Sequence, residues 1–206
     1  NEYIPGDETS FTIIAFPVPA IGEHFPEIFK ETIRINTLDY ELYRDMQQKI
    51  IDVLDTAEYV EVIGKGENRT NMQVRLATLS DPEKQTKFEN CVADVNIPLG
   101  EVFTSPKLAG TNGILNVGTV YIGDIQYRNL LMEFKDGRVV SAVCDNFAEN
   151  GEIDKEAGHR LIVQGIMNGH ETLPLGEFAI GTNTTAYAMA EKFGILDRLP
   201  ILIVEK

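Results

Sequence analysis

Two short stretches of this chain set a glutamate between a glycine and an apolar strand. The first is Asn96-Ile97-Pro98-Leu99-Gly100-Glu101-Val102-Phe103-Thr104-Ser105-Pro106, and the second is Leu173-Pro174-Leu175-Gly176-Glu177-Phe178-Ala179-Ile180. Val102, Phe103 and Thr104 have the branched and aromatic character of a strand. Pro106 stops the ladder, because it has no N–H to donate. A glycine just before the glutamate lets the backbone turn tightly or come close to another group. A carboxylate at a strand start is held on a rigid element and still reachable, which suits a metal ligand or an acid/base. Both stretches read Pro-Leu-Gly-Glu, so Glu101 and Glu177 are presented alike and are candidates to share one cation. The bland alternatives are two solvated glutamates, or carboxylates that cap loops by accepting backbone N–H bonds.

Other chemistries find little support. His170-Glu171 begins like the HExxH zinc pattern, but the fourth residue after His170 is Pro174, which would also break the required helix. His24 and His159 read as a cap or loop residue and a surface residue. Ser10, Ser80, Ser105 and Ser141 lie outside any GxSxG elbow. Cys144 closes a hairpin strand and reads as a buried thiol. The Gly64-Lys65-Gly66 pair is no phosphate loop, since no GxxxxGK[ST] follows.

The whole composition narrows the partners. The 206 residues carry 32 acidic and 18 basic side chains, a net charge of −14. That field repels nucleic acid and anionic lipid, so neither is an expected partner; it suits a divalent metal. With 43% hydrophobic and 24% charged residues the chain is an ordinary globular one. Two cysteines without a CxxC pattern point to a reducing, cytoplasmic compartment. No apolar run approaches the ~20 residues of a membrane helix, and no signal peptide is visible. The chain opens on Asn1 and closes on Ile201-Leu202-Ile203-Val204-Glu205-Lys206, so a piece of a longer protein is expected.

The elements that must position the glutamates can be read in order. Phe11 to Phe16 is apolar on both parities, as in a parallel strand buried on both faces. Phe25, Ile28, Phe29 and Ile33 recur at helical spacing. A longer helix runs from a cap at Thr37 or Asp39 to Asp55, with Leu42, Met46, Ile50, Ile51 and Leu54 as its buried stripe. Strands are expected at Tyr59–Ile63 and Met72–Leu76, and a polar connection over Asp81–Asn90. Lys107–Gly113 reads as a loop and Ile114–Tyr121 as a strand. Asp136-Gly137 joins two apolar runs in a hairpin. Helices follow from Asp154 to Asn168-Gly169 and from Thr184 or Thr185 to Lys192, with strands at Leu175–Ile180 and Pro200–Val204. The fold class expected is α/β (α+β): an α/β N-terminal domain over residues 1–90, then a β-rich metal-site domain over residues 91–206 with a hairpin and short helices.

Taken in order, Asn96-x-Pro-x-Gly-Glu101-Val-Phe-Thr-Ser-Pro106, Gly110-Thr-Asn-Gly113, Phe134-Lys-Asp-Gly-Arg-Val-Val140 and Leu175-Gly-Glu177 resemble the thermophilic-type M29 metallo-aminopeptidases, which are leucyl aminopeptidase-like. The resemblance covers roughly residues 40 to 180, and the GEVFTSP motif is its specific part. It implies a two-metal exopeptidase that removes the N-terminal residue of a peptide, with Glu101 and Glu177 as metal ligands. The ions implied are zinc, cobalt or magnesium, the partner is a peptide substrate, and the family is dimeric. In that family two histidines, a tyrosine and an aspartate follow the second glutamate. Here no histidine follows Glu177, and the only candidates are Tyr187 and Asp197, outside the family's pattern. The resemblance therefore implies an incomplete site, with little activity and weak metal binding in this chain alone. The competing reading is a non-catalytic acidic domain that binds a peptide or a partner subunit.

Overall fold

A computed structural model describes residues 13–14, 16–92, 96–97, 100–123, 125–149 and 152–196. The expected strand over Pro200–Val204 lies outside them. The chain combines helices with mainly antiparallel sheets, as the α/β reading requires. It divides into two compact units. The first comprises residues 1–52, 88–103 and 179–206, and the second residues 53–87 and 104–178.

In the first unit, β1 (Ile13–Ile14) pairs in parallel with β5 (Asn96–Ile97), the orientation expected for the N-terminal strand. A 3-10 turn at Pro19–Ile21 precedes α1 (Phe25–Ile35), whose Pro26 sits in the first turn, where its missing N–H costs nothing. α2 (Tyr40–Leu54) starts at Asp39, whose carboxylate accepts the Leu42 N–H at 3.0 Å. A three-stranded sheet has β6 (Glu101–Thr104) at its centre, between β4 (Glu89–Cys91) and β12 (Phe178–Gly181). α4 (Thr184–Lys192) is capped by Asn183, which accepts the Ala186 N–H. The core of this unit joins Ile28 and Ile35 of α1 to Ala186, Met189 and Ala190 of α4, with Ile21 and Ile195.

The second unit is built on a five-stranded sheet in the order β2 (Tyr59–Ile63), β3 (Asn71–Arg75), β7 (Lys107–Ile122), β8 (Ile125–Lys135) and β9 (Arg138–Val143). α3 (Lys155–Gly165) lies against β9, and its N-terminus is capped by Asp154. A short ribbon of β10 (Ala148–Glu149) and β11 (Glu152–Ile153) leads into it. Tyr127, Leu130, Met132 and Phe134 of β8 fill the core with Met72, Val74 and Ile162. The β8–β9 turn places Asp136 at φ 46° and Gly137 at φ 67°, both in the left-handed region that a two-residue hairpin needs.

Three expectations are corrected. Lys107–Gly113 is strand, part of the 16-residue β7. Its glycines accommodate irregular register, with Gly110 at φ 86° and Gly113 at φ 133° beside a shift between Gln73 and Arg75. Gly113 also lies against the Asn71 and Met72 backbone, where a Cβ would not fit. The strand before Ile180 begins at Phe178, because Leu173 to Leu175 bond instead to the β9 hairpin. In α2, Leu42 and Met46 are exposed, and the fully buried residues are Gln47 and Ile51.

Candidate functional site

Glu101 opens β6, and its side chain is only 7% exposed. Cys91 on β4 stands opposite it in antiparallel register. The preceding Gly100 has φ 128°, and a Cβ there would stand 2.7 Å from the Cβ of Asn183. Only glycine lets the chain enter β6 at that point. The Gly100 carbonyl accepts the Thr182 N–H at 2.8 Å. A carboxylate presented at a rigid strand start is an oxygen donor of the kind a divalent cation takes.

One buried amide ties the neighbours of β6 together. Gln47 Nε2 donates to Asn90 Oδ1 at 2.6 Å and to the Cys91 carbonyl at 3.1 Å. Gln47 Oε1 accepts from Thr182 Oγ1 at 2.7 Å. Asn90 Nδ2 in turn donates to the Arg44 carbonyl at 3.0 Å. Gln47 is 0% exposed, so each of these bonds offsets a desolvated polar group. Sequence periodicity passes over this residue because it credits only apolar side chains. The available signal is its spacing, since Gln47, Ile51 and Leu54 recur at i, i+4 and i+7.

Glu177 belongs to the second unit and is exposed just before β12. Its approach is anchored residue by residue to the hairpin. Thr172 Oγ1 donates to the Val139 carbonyl at 2.7 Å, Val139 N–H to the Leu173 carbonyl at 3.1 Å, and Leu175 N–H to the Gly137 carbonyl at 2.7 Å. Pro174 makes an isolated antiparallel bridge to Arg138, placing proline where no donor is required. Glu101 is thus the first residue of its strand and Glu177 the last residue before its own, both at strand starts as their motifs predict.

Among the described residues, no three His, Cys, Asp or Glu side chains cluster so as to hold a metal ion. The oxygen donors of Glu101 and Glu177 fit a divalent cation in kind and fall short in number. Tyr187 is half exposed on α4, and Asp197 lies outside the described residues. His24 is the N-cap position of α1 without a side-chain cap bond, and His159 Nδ1 on α3 lies 2.9 Å from the Ala142 carbonyl on β9. Cys144 is fully buried with its Sγ 3.6 Å from the Gly158 carbonyl, as read from sequence.

The second unit also holds a cavity of about 680 Å³, lined in part by Arg69, Asn116, Asn129, Asp145 and Lys155. Asn129 sits at φ 47° within β8. Its Oδ1 accepts from Asn116 Nδ2 at 2.9 Å, and its Nδ2 donates to Asp145 Oδ2 at 2.7 Å. Glu177 is not among the lining residues.

The family model described as Peptidase_M29, thermophilic metalloprotease (M29), matches residues 1–193. A comparison with curated proteins finds no match. Among solved structures, wild-type AmpT from Thermus thermophilus is similar, with a TM-score of 0.57 at 17% identity. The superposition covers 92% of this chain and 45% of AmpT, so the chain spans less than half of that protein's length. At this identity the likeness is one of fold.

Proposed function

This chain belongs to the thermophilic metalloprotease family M29, and from that premise we propose that it forms part of a metal-dependent aminopeptidase acting on peptides. The observation that carries the reading is Glu101: a family-motif carboxylate, nearly buried, at the entrance of a central strand behind a glycine whose backbone any other residue would strain. Glu177, presented by the same Gly-Glu-strand grammar, is proposed as the second ligand. The chemistry that two divalent ions supply in such a centre is Lewis-acid activation of a water and of a peptide carbonyl. The part of this chain is to hold oxygen donors of fixed direction, so that little reorganisation accompanies binding. The remaining donors are proposed to come from residues beyond the 206. The two buried cysteines and the acidic surface suit a reducing compartment and a substrate with a cationic N-terminus.

The test uses the protein of the complete reading frame. Peptides with a free N-terminus are cleaved in the presence of zinc or cobalt, whereas N-acetylated copies are not. Chelation abolishes turnover, and added metal restores it. Glu101→Gln lowers kcat/KM at least a hundredfold, measured with saturating metal. Metal-independent binding of both peptides without cleavage would establish the acidic binding module instead. The 206-residue chain by itself is expected to show little turnover, and robust hydrolysis by it would overturn the proposal of outside ligands.

A further inference from the structure

We propose that Gln47 is a positioning residue for the metal-ligand carboxylate of Glu101, acting through β4 on one side and through Thr182, the residue after β12, on the other. The inference rests on the metalloprotease reading above. β6 is the central strand of its sheet, so Glu101 has one neighbour on β4 and another beside β12. On the β4 side, Gln47 Nε2 reaches the carbonyl of Cys91, the register partner of Glu101. On the β12 side, Gln47 Oε1 receives the Thr182 hydroxyl, and the Thr182 N–H in turn bonds to the carbonyl of Gly100, the residue before Glu101. One amide in the interior of α2 thereby fixes the two backbones between which the glutamate emerges.

The chemistry of glutamine matches this task. Holding both sides requires an acceptor for a hydroxyl and two donors, for Cys91 O and Asn90 Oδ1, on one planar group. A glutamate in its place has no donors, and a leucine of similar length has neither function. A leucine would fill the helix position but leave the Cys91 carbonyl, Asn90 Oδ1 and the Thr182 hydroxyl without this partner, so a change at Gln47 is felt on both sides of Glu101. Gln47 lies on a helix, an element rigid enough to hold ligand supports to within a few tenths of an ångström. Supporting residues of this kind typically change metal affinity 10–100-fold when removed.

The experiment compares the complete protein with Gln47→Leu, Thr182→Val and Thr182→Ser. Cobalt(II) alone is titrated into each apo-protein by calorimetry, and the visible absorption of the cobalt complex reports its coordination geometry. Thr182→Val is nearly isosteric and removes only the hydroxyl, so it serves if Gln47→Leu does not fold. Gln47→Leu and Thr182→Val are expected to weaken cobalt binding about tenfold or more and to shift the absorption bands. Thr182→Ser, which keeps the hydroxyl, restores both. A lowered melting temperature with parental cobalt affinity and parental spectrum would make the network purely structural and overturn the inference. A parent protein that takes up no cobalt would overturn the metalloprotease reading itself, and the inference with it.

Discussion

Gly100 and Tyr127 show how single side chains set the limits of this protein. Adding one methyl group at Gly100 demands both a left-handed backbone and space already taken by Asn183. Gly100→Ala is expected to lose about 1–3 kcal/mol of stability, read from urea unfolding, through this strain alone. Tyr127 is fully buried in the sheet core, and its hydroxyl has no hydrogen-bond partner among the described residues. Burial, and next the neighbouring Cys144 thiol, push its phenol above the ordinary value of 10.0. The unfolded phenol therefore ionises first as pH rises, while the folded one keeps its proton. The folded state then holds the extra proton, so stability is complete below about pH 10 and falls as pH climbs above it. Tyr127→Phe is expected to flatten that alkaline decline and to leave neutral-pH stability unchanged or up to about 1 kcal/mol higher. An equally steep alkaline loss in the phenylalanine variant would assign the slope to other groups.

At the scale of elements, β8 carries the sharpest irregularity. Asn129 occupies the left-handed region inside a strand, bridged to Asn116 and Asp145 by its own amide. Asparagine tolerates that conformation and a β-branched residue does not. Asn129→Val is expected to be the most damaging substitution there, at about 2 kcal/mol or more, with Asn129→Gly costing less because only the hydrogen bonds go. Melting curves of the two variants check the order, and equal losses would place the cost in the amide network, which both variants remove.

The elements legible in the sequence are those with local signals. The spacing of Phe25, Ile28, Phe29 and Ile33, the Asp39 and Asp154 caps and the Asp136-Gly137 turn each encode their structure within a few residues, although Phe29 and Ile33 are exposed on the helix they mark. The N-terminal half of β7 was hidden because glycine, threonine and asparagine describe a loop and a bulged strand equally well. β4 is three residues long, too short for any periodicity. Glu101 and Gly100 were visible as a motif. The amide that braces them was not, because a buried glutamine is explained by partners at Asn90 and at Thr182, far along the chain.

The molecule as a whole carries a charge of −14, spread over 32 acidic and 18 basic groups. Among the described residues the ion pairs involve mostly solvent-exposed side chains, such as Arg160 with Glu156 at 3.0 Å, and such pairs add little stability. Net repulsion among the acidic groups opposes the compact state and is screened by salt. The melting temperature is therefore expected to rise between about 10 mM and 150 mM sodium chloride, where the screening length shortens from about 30 to 8 Å. A falling value would show that attractive pairs outweigh the repulsion. Among the described residues no helix is long and apolar enough to cross a membrane.

The bond from Thr182 to Gln47 spans 135 positions of sequence. At roughly 5–20 residues per second of synthesis, α2 waits on the order of 7 to 27 s on the ribosome before that hydroxyl is made. Until then the amide of Gln47 lacks one of its partners and the entrance to β6 has a brace on one side only. Maturation of the Glu101 position is thus a late event of biosynthesis, and a nascent chain released before residue 182 would emerge without α4 and with its carboxylate still unaimed.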